Sequence, residues 1–235
     1  MSSTLKNWVP IEKLSFTIML MNPAAIALIT EQLDRIRNLW DWSLLSMNPS
    51  AMPILEQHPD QVNWPTISAN PAAVPLLEKN PDKIHWETLS ENPAAMHLLE
   101  QHPDQIQWHN LSANPAAVSL LEKNLDKVSW IRLSGNPAAI SLLKTYPDQI
   151  CWPMLSRNPE AISLLEANPE KINWSMLSGN PKAMHLLEQN PARIDWYVLS
   201  ANPGAISLLE QNPDKVDWME LSRNPAIFDE EFACK

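Results

Sequence analysis

Serine, histidine and acidic residues recur in this chain at fixed intervals, and each type suggests a chemistry. Serine stands at Ser46 and at every twenty-second position to Ser222. Beside a His and an Asp, such a Ser would be a nucleophile. Glu56, Glu78, Glu100, Glu122, Glu166, Glu188 and Glu210 form an acidic column that Lys144 interrupts. Asp60, Asp82, Asp104, Asp126, Asp148 and Asp214 form another, from which Glu170 and Ala192 depart. Repeated carboxylates would suit a cation. The six His (His58, His85, His97, His102, His109 and His185) would suit a metal.

None of these chemistries is expected. A catalytic constellation is a unique departure from a repeat, and here the Ser46–Ser222 column and the Asp60–Asp214 column are copies. The His residues fall in several different columns, with no pair at metal-ligand spacing on one face. With Gly 3, no glycine-rich phosphate cradle is available, and no nucleophile elbow is present. The reading is of no catalytic residue, no cofactor and no metal site. A repeated Ser fits a hydrogen bond to backbone at a helix end. The carboxylates fit a solvated face paired locally with Lys83, Lys127, Lys171 and Lys215.

The repetition therefore asks what elements it builds. Asn-Pro recurs from Asn48 to Asn224, and Trp from Trp42 to Trp218, both in steps of 22 without an insertion. The unit reads W-x-x-L-S-x-N-P-x-A-I-x-L-L-E-x-N-P-D-K-I-x, with Val or Met at the first Ile, Gln at Lys and Val at the second Ile. Capping residues such as Asn63, Ser129, Asn173, Asp195 and Asp217 precede Trp, and Pro65 and Pro153 follow it, as at a helix start. W-x-x-L-S-x is predicted as one short helix. Asn-Pro opens a second, and NPDKI is the turn back to Trp. Pro53 and Pro75 conflict with a helix that begins at once. Either it starts later there, or it is locally 3₁₀.

Two short helices in 22 residues bury too little to fold alone, so units must stack. The predicted class is all-α, an elongated or gently curved α-solenoid; the alternative is a leucine-rich-repeat-like ladder, since L-S-x-N echoes that pattern. Residues 1–41 read as a degenerate capping repeat, 42–217 as eight full repeats, and 218–235 as a partial ninth with a C-terminal cap in which Phe228 and Phe232 cover the last unit. Leu14–Thr30 carries no charge, but Asn22-Pro23 interrupts it and it is short for a span, so it reads as a buried first repeat. The expected core is the Trp column (Trp42, Trp64, Trp86, Trp108, Trp130, Trp152, Trp174, Trp196 and Trp218) with the Leu and Ala columns. A central Trp→Ala then costs roughly 3–5 kcal/mol.

The formal net charge of −10, with no basic cluster, argues against nucleic acid. No membrane partner is expected, and two Cys make no disulfide framework, which suits an intracellular, reducing compartment or a virion rather than secretion. The informative positions are those that vary. Ile131, Arg132, Met154, Met176, Tyr197, Val198 and Met219 follow the later Trp residues and make a candidate partner-binding strip.

NPDKIHWETLSENPAAMHLLE, residues 80–100, resembles the tandem repeats of form NPDKIDWxxLSxNPxAIxLLE in proteins encoded by large DNA viruses of algae and other protists. The resemblance covers roughly residues 42–227, with Leu125 replacing the second Pro and Ala192 its Asp as departures. It implies a non-enzymatic repeat protein of the infected cell or virion and brings no catalytic residues. The expected function is a scaffold for protein–protein interaction, with a minor capsid or virion-associated role as its specific form. The alternative is an adaptor or effector that binds a cellular protein through one solenoid face. Self-association is compatible with either.

Overall fold

The computed structural model describes residues 3–230. Phe232 and Cys234, and with them part of the expected C-terminal cap, lie outside the described residues. The chain is an all-α repeat solenoid, as the period predicts. Among the described residues the only strands are Ser3–Leu5 and Phe228–Glu230, so the leucine-rich-repeat alternative is not what forms. It divides into two compact units, residues 68–194, and residues 1–67 together with 195–235.

In a central repeat the order is a helix Trp130–Ser134, a 3₁₀ turn Pro137–Ala139, a helix Ile140–Thr145 and a 3₁₀ turn Pro147–Gln149. Each helix is far shorter than an isolated helix needs, so tertiary packing supplies its stability. The Asn-Pro signal starts a 3₁₀ turn, and the α-helix begins three residues later. This resolves the interior prolines. The helix Met52–Gln57 follows the 3₁₀ turn Pro49–Ala51, and Pro53 lies in the first turn of that helix, where a missing N–H costs nothing. Among the described residues none has positive φ and no peptide is cis.

The Asn of Asn-Pro works in two directions. Asn136 Oδ1 accepts from Ala138 N at 3.0 Å, capping its own turn. Its Nδ2 donates to Ser112 O at 3.1 Å and to Asn114 O at 3.0 Å in the preceding repeat. Asn92, Asn114, Asn158 and Asn180 repeat this set. The Ser column is the second tie. Ser112 Oγ donates to Trp108 O at 2.7 Å and accepts from Ser129 N at 2.9 Å. Both columns are buried, and the hydrogen bonds offset the cost of burying these polar groups. Around them the Leu column (Leu89, Leu111, Leu133, Leu155, Leu177), the Ala column and the second Leu of each pair are fully buried.

The Trp column departs from expectation. No Trp is buried; Trp86, Trp108, Trp130, Trp152 and Trp174 are all half-buried, as are their counterparts in the other unit. The space between successive repeats is filled by Leu, Ala, Ser and Asn, and the indoles lie at its margin.

The ends also differ from two separate caps. In the unit formed by residues 1–67 and 195–235, the first repeat packs on the last. Asn22 Nδ2 donates to Ser222 O at 3.1 Å and Asn224 O at 3.0 Å, and Ser15 N donates to Ser222 Oγ at 2.8 Å. These are the same bonds that join consecutive repeats. Strand Ser3–Leu5 pairs antiparallel with Phe228–Glu230, Leu5 opposite Phe228, and Lys6 meets Asp229. The end segments cap each other.

Candidate partner-binding surface

Seven of the half-buried Trp are covered by a side chain from the turn that follows, and the cover comes in two forms. Trp42, Trp86 and Trp130 are met by His58, His102 and Tyr146, with ring centroids 5.1, 4.8 and 5.3 Å apart. Trp108, Trp152 and Trp196 lie under Lys127, Lys171 and Lys215 at 4.4, 4.6 and 4.5 Å, and Trp174 under Arg193 at 4.9 Å, all cation–π contacts. The two covers occupy positions three residues apart in the turn. Where the aromatic stands before Pro, Gln follows (Gln61, Gln105, Gln149); where Asn stands there, a cation follows. The Asn cannot serve as cover, because its amide folds back onto its own helix: Asn124 donates to Leu120 O, Asn168 to Leu164 O and Asn190 to Leu186 O, each at 2.9 Å. This pairing was present in the sequence as His/Tyr with Gln and Asn with Lys/Arg, and column-by-column reading missed it.

The residue after Trp points outward. Glu87, His109, Ile131, Pro153 and Ser175 are exposed in one unit, and Pro65, Tyr197 and Met219 in the other. Among them Ile131 is 60% exposed, Tyr197 57% and Met219 56%. At Arg132 and Met154 the next residue points instead along the stack. Arg132 reaches Glu91, two repeats back, which also accepts from Asn110 Nδ2 at 2.8 Å. Met154 Cε would lie 3.3 Å from a Cβ on Gly135, so the glycine makes room for it. The predicted strip is therefore divided. Ile131, Met176, Tyr197 and Met219 face solvent, whereas Arg132, Met154 and Val198 are half-buried against the scaffold.

Polar features on this surface are local. Tyr197 Oη donates to Glu220 Oε1 at 2.9 Å, and the Glu220 hydrogen bond and charge hold the phenol pKa above its ordinary value. Glu220 is itself buried and accepts from Arg223 at 3.1 Å. His97 and His185 pair with Glu78 and Glu166 at 2.8 and 2.9 Å. A cleft of about 640 Å³ lies beside Trp174, with Glu166, Glu170, His185, Asn190 and Arg193 on its walls. Among the described residues no three His, Cys, Asp or Glu side chains converge as a metal site, and no helix is long and apolar enough to cross a membrane. Comparisons with protein-family models, curated proteins and solved structures gave no match.

Proposed function

We propose that this chain is a non-enzymatic repeat scaffold that binds protein partners through the exposed residues following each Trp. One observation carries the reading. The repeated polar residues of the interior are committed to the backbone: the Ser and Asn columns are buried and hydrogen-bonded between repeats. Variation is concentrated where the side chain is exposed. Within each unit, dissimilar exposed side chains recurring at the repeat spacing suit recognition of an extended protein surface. Ile131, Tyr197 and Met219 supply the kind of apolar and aromatic groups that anchor interfaces. The likeness of the repeat to those of large DNA viruses favours a structural component of the virus particle as the specific form of this scaffold.

Crosslinking mass spectrometry of the protein in its native source, with contacts mapped by repeat, tests this. Crosslinks at successive repeats to one abundant assembly protein are expected, and Ile131→Asp or Tyr197→Asp should weaken capture of that protein at least tenfold. Contacts confined to one or two repeats and a scarce cellular protein would replace the scaffold by an adaptor. An unchanged partner profile with both substitutions would overturn the assignment of this face.

A further inference from the structure

The joint between the first and last repeats copies every tie found between neighbours in sequence. Asn22 holds Ser222 and Asn224 as Asn136 holds Ser112 and Asn114. Ser15 N meets Ser222 Oγ as Ser129 N meets Ser112 Oγ. Lys13 lies 4.6 Å over Trp218 as Lys127 lies 4.4 Å over Trp108. Lys13 stands three residues before Phe16, the place Lys127 holds before Trp130. The last repeat thus receives the first as though it were next in sequence, but without a peptide link across the joint.

The first repeat is also tethered differently to the second. Asn22 and Asn48 are 26 residues apart, four more than the repeat. Phe16 still carries its cation, Arg35, at 4.2 Å, so the extra residues fall after Arg35, at 36–39. Immediately there, Leu39 is 77% exposed and Trp40 66% exposed. No packing role in a single chain accounts for two adjacent large apolar side chains left in water.

We propose that residues 3–35 exchange between two copies of this chain, with residues 36–39 as the hinge and Leu39 and Trp40 covering the paired hinges. The occupant of the last repeat's face is then the first repeat of a second copy. It brings the same Asn22, Ser15 and Lys13 to Ser222, Asn224 and Trp218, so no bond is lost. The gain is burial of the two apolar side chains, the usual source of a new interface in exchange of an identical element.

The test uses the full chain with Cys151→Ser and Cys234→Ser, and with Thr4→Cys and Asp229→Cys, positions directly opposite in the strand pair. The protein is refolded reduced, then oxidised, at dilute concentration and near about 1 mM, where a second copy competes with the tethered segment. Dilute refolding should give monomers closed by an intrachain disulfide. Concentrated refolding should give dimers joined by two interchain disulfides, with an unchanged far-UV circular dichroism spectrum. Leu39→Ser with Trp40→Ser should cut the dimer fraction several-fold without lowering the monomer's unfolding midpoint. Intrachain disulfides alone at every concentration would overturn the proposal, as would a dimer whose disulfides are all intrachain.

Discussion

At the scale of single residues, the asparagine amide does most of the joining. Asn136 spends its oxygen on its own turn and two protons on the repeat before it. Asn136→Ala removes all three bonds. Asn114 O keeps the bond from Ala117 N, but Ser112 O and Ala138 N lose their partners, a loss of about 3 kcal/mol measurable by urea unfolding. Asn136→Asp keeps the cap but sets a carboxylate against those carbonyls, and should cost more. Tyr197 makes a different test. Its hydrogen bond to Glu220 needs the protonated phenol, so that stabilisation is complete below the ordinary tyrosine pKa of about 10 and is lost as pH rises through the raised folded value. In a Tyr146→Phe background, ultraviolet titration of the remaining tyrosine should place Tyr197 above its ordinary value, and Glu220→Gln should lower it. Nothing in the repeat phrase announces this pair, because Tyr197 and Glu220 both occupy variable positions in different units of the sequence.

Elements here are too short to hold themselves, so their stability is read in the columns that pack them. Leu133 is fully buried while Trp130 is half-buried beside Tyr146. Leu133→Ala should therefore cost about 3–4 kcal/mol, and Trp130→Ala about 2 kcal/mol, an order opposite to that expected from side-chain size alone. Equal losses in denaturant melts, or a larger one for Trp130, would return the indole to the core. The helices, their caps and the buried Leu columns were legible because Asn-Pro, W-x-x-L and the period state them locally. The depth of the Trp was not, since a residue type reports how much area it can bury rather than where adjacent repeats leave room. The strip failed in the same way. Neighbours such as Ile131 and Arg132 lie on one short helix yet point to different surroundings, and only helix orientation separates them.

For the molecule as a whole, the decisive contacts join residues 200 or more apart in sequence, and no local pattern declares them. Terminal repeats of a solenoid normally fray, so a change there costs little. Asn22 carries the full set of inter-repeat bonds, and Asn22→Ala should destabilise by about as much as Asn136→Ala, roughly 3 kcal/mol. Hydrogen exchange should show the amides of Ser15 and Ala24 protected comparably to those of Ser129 and Ala138. Early exchange confined to residues 3–25 would show instead that the two end repeats are only loosely joined. Lys13 was readable in retrospect, three residues before an aromatic as Lys83, Lys127, Lys171, Arg193 and Lys215 are. The missing information was that the aromatic it covers belongs to the other end of the chain.

The two kinds of cover over the Trp have a bearing on how such a gene can change. Passing from His-Pro-Asp-Gln to Asn-Pro-Asp-Lys takes substitutions at two codons, and either one alone gives a poorer turn. Asn with Gln leaves the indole bare, and His with Lys crowds one ring face with two groups. Copying a whole unit moves both letters together and never visits those intermediates. Through the first five turns the forms alternate, at His58, Asn80, His102, Asn124 and Tyr146, and three Asn turns then follow. That order is what duplication of a 44-residue pair, followed by copying of single units, would leave behind. The chain's history is thus written in which side chain shelters each tryptophan.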